Sequence, residues 1–252
     1  MAKHLETYPD RAALVARATA LTLEHLRRAI ATRGQANLAL AGGSTPQPLY
    51  EALAQASLPW EHLHIFWGDE RYVPADHPES NQGMARRAWL DHVPIPAANL
   101  HPMPTHRADP AADAAQHEAE LRAHFQTPPP AVPAFDLILL GMGDDGHTAS
   151  LFPQTAVLAE RDRLVAVGDK DGQPRLTFTV PLLNQAHSIL FLVAGANKQT
   201  ALQAVLAAQG DAHQYPSRLI QPQGEAWWLL DAAAAAGLPS SAPAAEGSAE
   251  NV

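Results

Sequence analysis

Cysteine is absent from the 252 residues of this chain, and lysine occurs only three times. Without cysteine the chain has no disulfide, no thiol nucleophile and no thiolate ligand for a metal. Long apolar runs are missing as well, since no segment approaches the roughly 20 residues of a membrane-spanning helix. The N-terminal sequence MAKHLETYPDR lacks the apolar centre of a signal peptide. From the absence of a membrane-spanning run and of a signal peptide we expect a soluble cytoplasmic protein.

Positive charge is also scarce. The 17 lysine and arginine side chains are outnumbered by 26 acidic ones, which gives a formal net charge of −9 without any basic run. Extended binding to nucleic acid is therefore not expected. A small anionic ligand would still need a local basic pocket, so the positions of Lys3, Lys170 and Lys198 are informative.

The sequence does contain a sizeable apolar fraction, 46%, arranged as short strands alternating with helices. An amphipathic helix is predicted over 10–33, with Asp10 as its N-cap and Gly34 at its end. Buried or alternating strands are predicted at 36–41, 62–67, 135–140, 163–168, 175–180, 188–195 and 225–231. Further helices are predicted at about 46–55, 80–92, 109–126 and 197–208.

This alternation is typical of an α/β fold with a mostly parallel sheet. Nothing divides the chain cleanly, and we expect one domain over residues 1–237. The last residues, 238–252, are small residues, prolines and acids, a composition that predicts a mobile tail.

The segment AGGSTP follows the strand predicted at 36–41. Gly42 and Gly43 let backbone N–H groups approach a ligand, and Ser44 and Thr45 add hydroxyl groups. Such a loop before a helix can hold a phosphate. It has neither P-loop nor dinucleotide-binding spacing, and a tight strand-to-helix turn explains it about as well.

Charged residues follow two other predicted strands or open a third. Asp69 and Arg71 lie in WGDERYVP, where a solvated salt bridge is one interpretation and binding of a substrate oxygen by the guanidinium is the other. Lys198 stands at a predicted helix start, where a cation opposes the helix dipole. A bound anion would account for it, although solvated lysines are common. Arg175 is a second cation candidate for the same pocket.

The segment GMGDDGHTAS follows the buried run FDLILL. A neutral imidazole such as that of His147 can accept a proton near neutral pH. Asp145 is close enough in sequence to orient the ring, although that spacing does not establish a contact. The alternative is that His147 merely neighbours a helix cap. His62 and His64 would share a strand face, but two histidines without a third ligand predict no metal site.

Four segments, in this order and spacing, resemble signatures of the glucosamine-6-phosphate isomerase/6-phosphogluconolactonase family, and of its lactonase members in particular. They are LALAGGSTPQPLYEAL, FWGDERYVPADHPESNQGMARRAWL, FDLILLGMGDDGHTASLFP and RLTFTVPLLNQAHSILFLVAGANKQTAL. The resemblance covers about residues 10–231. It implies a Rossmann-like sheet flanked by helices, with the site at the strands' carboxyl ends. It further implies hydrolysis of 6-phospho-D-glucono-1,5-lactone to 6-phospho-D-gluconate, in the oxidative pentose phosphate pathway, with no metal and no cofactor.

The resemblance also implies roles for individual residues. His147 matches the family's general base, and Asp145 and Arg71 complete the catalytic set that we assign. The remaining candidates are substrate and phosphate contacts: Gly42, Gly43, Ser44, Asp69, Arg175 and Lys198. In this interpretation the histidine takes a proton from water and returns it to the leaving ring oxygen. Backbone N–H groups of the glycine-rich loops, or Arg71, face the developing oxyanion.

Two alternatives remain at this point. A deaminase-like isomerase on the same fold would carry an acid soon after the histidine, whereas this chain has none between His147 and Glu160. A non-catalytic sugar-phosphate-binding protein of the regulator type would need a DNA-binding module, for which we expect no room before the first helix. A serine hydrolase is disfavoured, because no Gly-x-Ser-x-Gly elbow occurs.

The expected partner is a sugar-phosphate lactone, with no nucleic acid and no membrane, and the expected state is a monomer or weak dimer.

Overall fold

The computed structural model describes residues 2–238. The strands in this range are β1 (Ala2–Tyr8), β2 (Ala36–Leu40), β3 (Leu63–Trp67), β4 (Asp69–Arg71), β5 (Leu100–His101), β6 (Leu137–Gly141), β7 (Val165–Lys170), β8 (Gln173–Phe178), β9 (Ser188–Val193) and β10 (Glu225–Asp231). The α-helices are α1 (Arg11–Arg33), α2 (Gln47–Leu53), α3 (Asn81–Ala88), α4 (Pro110–His124), α5 (Val180–Asn184), α6 (Gln199–Leu206) and α7 (Ala232–Ala235).

Seven strands form one parallel sheet in the order β1-β10-β9-β6-β2-β3-β5. The predicted mostly parallel α/β fold is therefore confirmed. From β2 the sheet is extended outwards by β3 and β5, and from β6 in the opposite direction by β9 and β10. The order thus reverses between β2 and β6, and ligands of open α/β sheets bind at such a reversal, outside the carboxyl ends of the strands.

The strands predicted at 163–168 and 175–180 exist as β7 and β8, but they do not join the main sheet. They form a three-stranded antiparallel sheet with β4. Asp171 and Gly172 both have positive φ in the turn between β7 and β8, and a two-residue turn can join only antiparallel strands. Residues 69–71, which lay in a predicted loop, are the strand that brings this small sheet to the end of β3.

Local sequence signals account for the first helix. The side chain of Asp10 accepts a hydrogen bond from the N–H of Ala13, and Gly34 closes the helix with a φ of 82°. Both caps were predicted. The edge strands β1 and β5 were not predicted: β1 contains only exposed and half-buried residues, and β5 has only two residues, which is too short for a periodicity signal.

The core lies on both faces of the parallel sheet, because β2 and β9 are buried along their whole lengths. One cluster contains Phe66, Phe135 and Phe191, and the other contains Leu38 and Trp67. None of the helices within residues 2–238 combines the length and the apolar character needed to cross a membrane. The tail predicted from residue 238 onwards lies, apart from that first residue, outside the described residues, and the single-domain assignment stays a prediction.

Candidate active site

A cavity of about 280 Å³ opens at the carboxyl ends of β9, β6, β2 and β3, which are neighbours at the reversal of strand order. The loops that follow these four strands line it. Eight of the nine predicted site residues lie in its wall: Gly42, Gly43, Ser44, Asp69, Arg71, His147, Arg175 and Lys198. The ninth, Asp145, is not part of the wall and contacts His147 instead.

His147 and Asp145 form a short hydrogen bond, with 2.6 Å between the imidazole Nδ1 and the carboxylate Oδ1. The same oxygen accepts the backbone N–H of His147 at 3.0 Å. Because a carboxylate only accepts, Nδ1 carries the hydrogen and Nε2 is the basic nitrogen. Burial alone would raise the pKa of Asp145, but hydrogen bonds from His147 and its charge outweigh burial and lower that pKa to about 2.

The loop can hold this pair only because residue 143 is glycine. A Cβ atom at Gly143 would lie 2.1 Å from Nδ1 of His147 and 2.5 Å from Oδ1 of Asp145. The backbone N–H of Gly143 also donates to the carbonyl oxygen of His147 at 2.8 Å, which closes the turn. Any side chain at position 143 would therefore displace the imidazole from its carboxylate partner.

Phe152 contacts both His147 and Arg175. Its ring centroid is 4.5 Å from that of His147, and the guanidinium carbon of Arg175 lies 5.5 Å from the same ring. Phe152 is buried, so it restricts the orientation of both side chains. Sequence analysis missed it, since an aromatic residue in a loop is not distinguishable from ordinary core.

Arg71 and Arg175 face each other across β4 and β8 as directly opposed residues. Each has a buried Nε that no hydrogen bond engages within residues 2–238. Burial lowers the pKa of Arg175, and the charge of Arg71 lowers it further, against an opposite effect of Asp69, Glu79 and Glu70. Like charges directly opposite each other destabilise a sheet. Anionic substrate oxygens would satisfy the free donors and reduce this repulsion.

Glu70 has a structural role at the start of α3. Its carboxylate accepts the backbone N–H groups of Arg71 and Asn81, both at 2.8 Å, and of Gln82 at 2.7 Å. Burial raises the pKa of Glu70, and these hydrogen bonds oppose that rise. Glu70 is thus committed to the helix start and to the strand before it.

Asp69 is also buried, with 7% of its surface exposed. Its Oδ2 accepts the hydroxyl hydrogen of Ser150 at 2.7 Å, and Asn81 donates its side-chain amide to the backbone oxygen of Asp69 at 2.9 Å. Within the described chain, Asp69, Glu70 and Arg71 form no salt bridge with one another, so the interpretation as a solvated salt bridge is wrong. The charged residues of this loop indicated solvent exposure. Asp69 can be buried because residues that are distant in the sequence form hydrogen bonds with it.

The glycine-rich loop presents free donors to the cavity. Within residues 2–238, no hydrogen bond engages the backbone N–H groups of Gly42, Gly43, Ser44 or Thr45. A Cβ at Gly42 would lie 1.9 Å from Oδ1 of Asn81, so glycine is needed for the close approach of that side chain. Asn81 also lines the cavity. The sequence offered only a weak signal for it, its position at the start of the helix predicted over about 80–92.

Lys198 lies where the sequence placed it, immediately before α6, and its side chain reaches the cavity wall. It takes part in no salt bridge among the residues that the structure describes. With Arg71 and Arg175 it gives the cavity three cations, opposed by Asp69 and by Asp144, which also lines the wall. The wall of a strongly acidic chain is therefore locally basic, as an anionic ligand requires.

Comparison with known proteins gives a consistent result. The model of the family described as glucosamine-6-phosphate isomerases/6-phosphogluconolactonase matches residues 9–228. A Synechocystis sp. protein named 6-phosphogluconolactonase is 60% identical over 231 residues, 92% of this chain and 96% of that protein. A Nostoc sp. protein of the same name is 57% identical over 238 residues, 94% of this chain and 99% of that protein.

A solved structure gives the same relationship in three dimensions. The 6-phosphogluconolactonase from Trypanosoma cruzi superposes with a TM-score of 0.85 at 29% identity, covering 95% of this chain and 99% of that one. The family match extends over most of the residues and includes all four loops of the cavity. The chain belongs to the family of glucosamine-6-phosphate isomerases and 6-phosphogluconolactonases.

Proposed function

We propose that this chain is an enzyme that hydrolyses 6-phospho-D-glucono-1,5-lactone to 6-phospho-D-gluconate. The observation that carries the proposal is the presence, in one cavity, of a carboxylate-oriented imidazole and a set of free cationic and N–H donors. The first group suits activation of water, and the second suits an anionic sugar phosphate. The relatives named above, which carry the name of this activity, support the choice of reaction.

His147 is the general base of the proposed reaction. Its Nε2 takes a proton from water as the water oxygen bonds to the lactone carbonyl carbon. When the tetrahedral intermediate collapses, the bond from that carbon to the ring oxygen breaks, and the imidazolium returns its proton to the ring oxygen. Asp145 acts through the imidazole as a positioning residue, because it fixes the tautomer and stabilises the positive charge that forms.

Arg71 and the backbone N–H groups of the loop after β6 are the proposed partners of the developing oxyanion. Fixed donors of this kind are worth most where charge appears only in the transition state. Asp69, held by Ser150 and Asn81, lies beside Arg71 in the wall and contacts the substrate hydroxyl groups in this proposal.

The 6-phosphate binds at the basic end of the cavity in this proposal. The free N–H groups of residues 42–45 surround it on one side, and Lys198 and Arg175 supply positive charge on the other. A backbone loop and cations together are a common anion site. A phosphate at this end also accounts for the buried, unpartnered Nε of Arg175.

The reaction is tested by the initial rate of 6-phosphogluconate formation, corrected for spontaneous opening of the lactone. The matched substrate is D-glucono-1,5-lactone, which lacks the phosphate. We expect rapid hydrolysis of the phosphorylated lactone and a much lower kcat/KM for the other. With glucosamine 6-phosphate, we expect no ammonia. Stoichiometric ammonia with fructose 6-phosphate as co-product, or a lactone rate equal to the spontaneous one, would overturn the proposal.

A further inference from the structure

Three histidines meet at a place away from the cavity. His64 lies in β3, His101 in the edge strand β5 and His124 at the end of α4, and none of them lines the cavity. One ring nitrogen from each lies within 4.8 Å of the others. The closest pair, Nδ1 of His64 and Nε2 of His101, is 3.1 Å apart. The histidines are distant in sequence, so the cluster is a product of the fold.

In two of the three rings, one nitrogen forms a hydrogen bond with an oxygen acceptor that orients the ring. Nδ1 of His101 lies 3.0 Å from Oε1 of Glu120, and Nε2 of His124 lies 2.7 Å from the amide oxygen of Asn37. That oxygen is identified by the other end of the amide, whose nitrogen donates to Asp136 at 3.2 Å. Both ring nitrogens are therefore N–H donors, and the lone pairs lie on Nε2 of His101 and Nδ1 of His124. Nε2 of His101 is within hydrogen-bond distance of Nδ1 of His64, a contact that a bound metal ion would replace.

This arrangement is the usual one around a metal-binding histidine. Such a histidine donates its other N–H to a carboxylate or carbonyl oxygen, which fixes the tautomer and directs the lone pair at the metal. Burial lowers the pKa of His64, and burial with the charges of His101 and His64 lowers the pKa of His124 to about 4. Metal ions bind the neutral form of an imidazole.

The spacing also suits a small divalent ion. Tetrahedral zinc with Zn–N distances of about 2.0–2.1 Å separates its ligand nitrogens by roughly 3.3 Å, close to the shortest separation found here. His64 and His124 are half-buried and His101 is buried, so the cluster is partly accessible to solvent, and water can supply a fourth ligand.

We propose that His64, His101 and His124 bind one Zn²⁺ ion, or a similar transition-metal ion that prefers imidazole, with water as the fourth ligand. The ion would join β3, the short edge strand β5 and the carboxyl end of α4. Its role would be structural, since the site is separate from the proposed reaction. His62, the histidine that shares the β3 region with His64 in sequence, is 51% exposed and does not belong to the cluster.

The proposal is tested on the full chain by calorimetric titration with Zn²⁺ and by the visible spectrum of added Co²⁺. We expect one equivalent to bind and the intense absorption of four-coordinate Co²⁺ to appear. His124→Gln and His101→Gln should abolish stoichiometric binding. Glu120→Gln should weaken binding by about 10–100-fold, as loss of an orienting partner does. The control His62→Gln should bind as the unaltered chain does, and only chains that bind should gain thermal stability on adding Zn²⁺.

The competing location is the cavity, where His147 and Asp145 offer an imidazole and carboxylates. His147→Gln separates the two, because the proposal requires this variant to retain the bound equivalent. Zinc X-ray absorption of the unaltered chain gives a result that needs no variant to fold: the proposal requires three imidazoles. A single imidazole with carboxylate oxygens, loss of the ion in His147→Gln, or no stoichiometric binding would each overturn it.

Discussion

The Nδ1 atom of His147 lies 2.6 Å from the Oδ1 atom of Asp145, and both atoms lie close to the backbone of Gly143. This contact depends on the backbone turn and determines which imidazole nitrogen is basic. The glycine turn after β6 creates the space, the carboxylate fixes the tautomer, and the tautomer leaves Nε2 free to accept a proton. A base held in a fixed orientation is what hydrolysis of an ester-like bond requires.

Replacement of the base should remove most of the turnover. We expect His147→Gln to lower kcat on the phosphorylated lactone by roughly 10²–10⁴-fold, the usual contribution of general acid–base catalysis. The circular dichroism spectrum should be unchanged, because the imidazole is on the cavity surface, 23% exposed. His62→Gln, at an exposed position outside the cavity, is the control and should retain full activity. A folded His147→Gln chain with near-normal turnover would show that another group is the base.

The contact should also appear in the dependence of stability on pH. The pKa of Asp145 is about 2 in the folded chain and about 3.9 for an unperturbed aspartate. Between these values the unfolded chain binds more protons, so stability falls as the pH falls. The contribution of Asp145 is therefore present above about pH 4 and is lost towards about pH 2.

Asp145→Asn removes this titration. In urea unfolding, the difference in free energy of unfolding between the unaltered chain and Asp145→Asn should shrink as the pH is lowered from about 4 to about 2. Two curves that stay parallel over this range would mean that the carboxylate is not stabilised by His147 in the folded chain.

The sequence located much of the cavity because of a general property of parallel sheets. Loops after β2, β3, β6 and β9 converge when those strands are neighbours, so unusual residues after buried strands are expected to meet. His147, Arg71 and Lys198, which follow three of these strands or lie just beyond them, line one cavity. That expectation needed no knowledge of side-chain contacts.

The parts that the sequence could not provide depend on tertiary contacts. In the sequence, nothing distinguishes Phe152 and Asn81 as site residues. Only the folded chain shows that Phe152 contacts His147 and that Asn81 packs against Gly42. The burial of Asp69 depends on Ser150, 81 positions away. The histidine cluster shows the same limit: in the sequence the nearest histidine to His64 is His62, whereas its partners in the cluster come from β5 and α4.

Lys198 provides a test of phosphate recognition. A cation directly before a helix is unfavourable without an anion nearby, so its expected partner is the 6-phosphate. Lys198→Ala should weaken binding of 6-phosphogluconate by about 1.5–3 kcal/mol, the range for a hydrogen bond to a charged group. Binding of unphosphorylated gluconate and turnover of D-glucono-1,5-lactone should change little. Equal losses with and without the phosphate would assign the lysine to chemistry or to structure.

The two facing arginines allow the ends of the substrate to be distinguished. Arg175, proposed to bind the phosphate, and Arg71, proposed to face the oxyanion, are opposed on β4 and β8. Arg175→Gln should raise KM for the phosphorylated lactone and leave the unphosphorylated one nearly unaffected. Arg71→Gln should lower kcat on both lactones, by about 10²–10³-fold if one oxyanion donor is lost.

Comparing Arg71→Gln with Arg175→Gln also controls for changes in stability, because each variant removes the same repulsion between the two arginines. A shared gain in stability from that relief would appear in both urea unfolding curves, whereas the two kinetic effects should differ in kind. Steady-state kinetics on the two lactones, with each variant confirmed as folded, separates them. If both variants lose only affinity for the phosphorylated lactone, both guanidinium groups bind phosphate. The oxyanion would then be stabilised by the backbone N–H groups of the loop that carries His147.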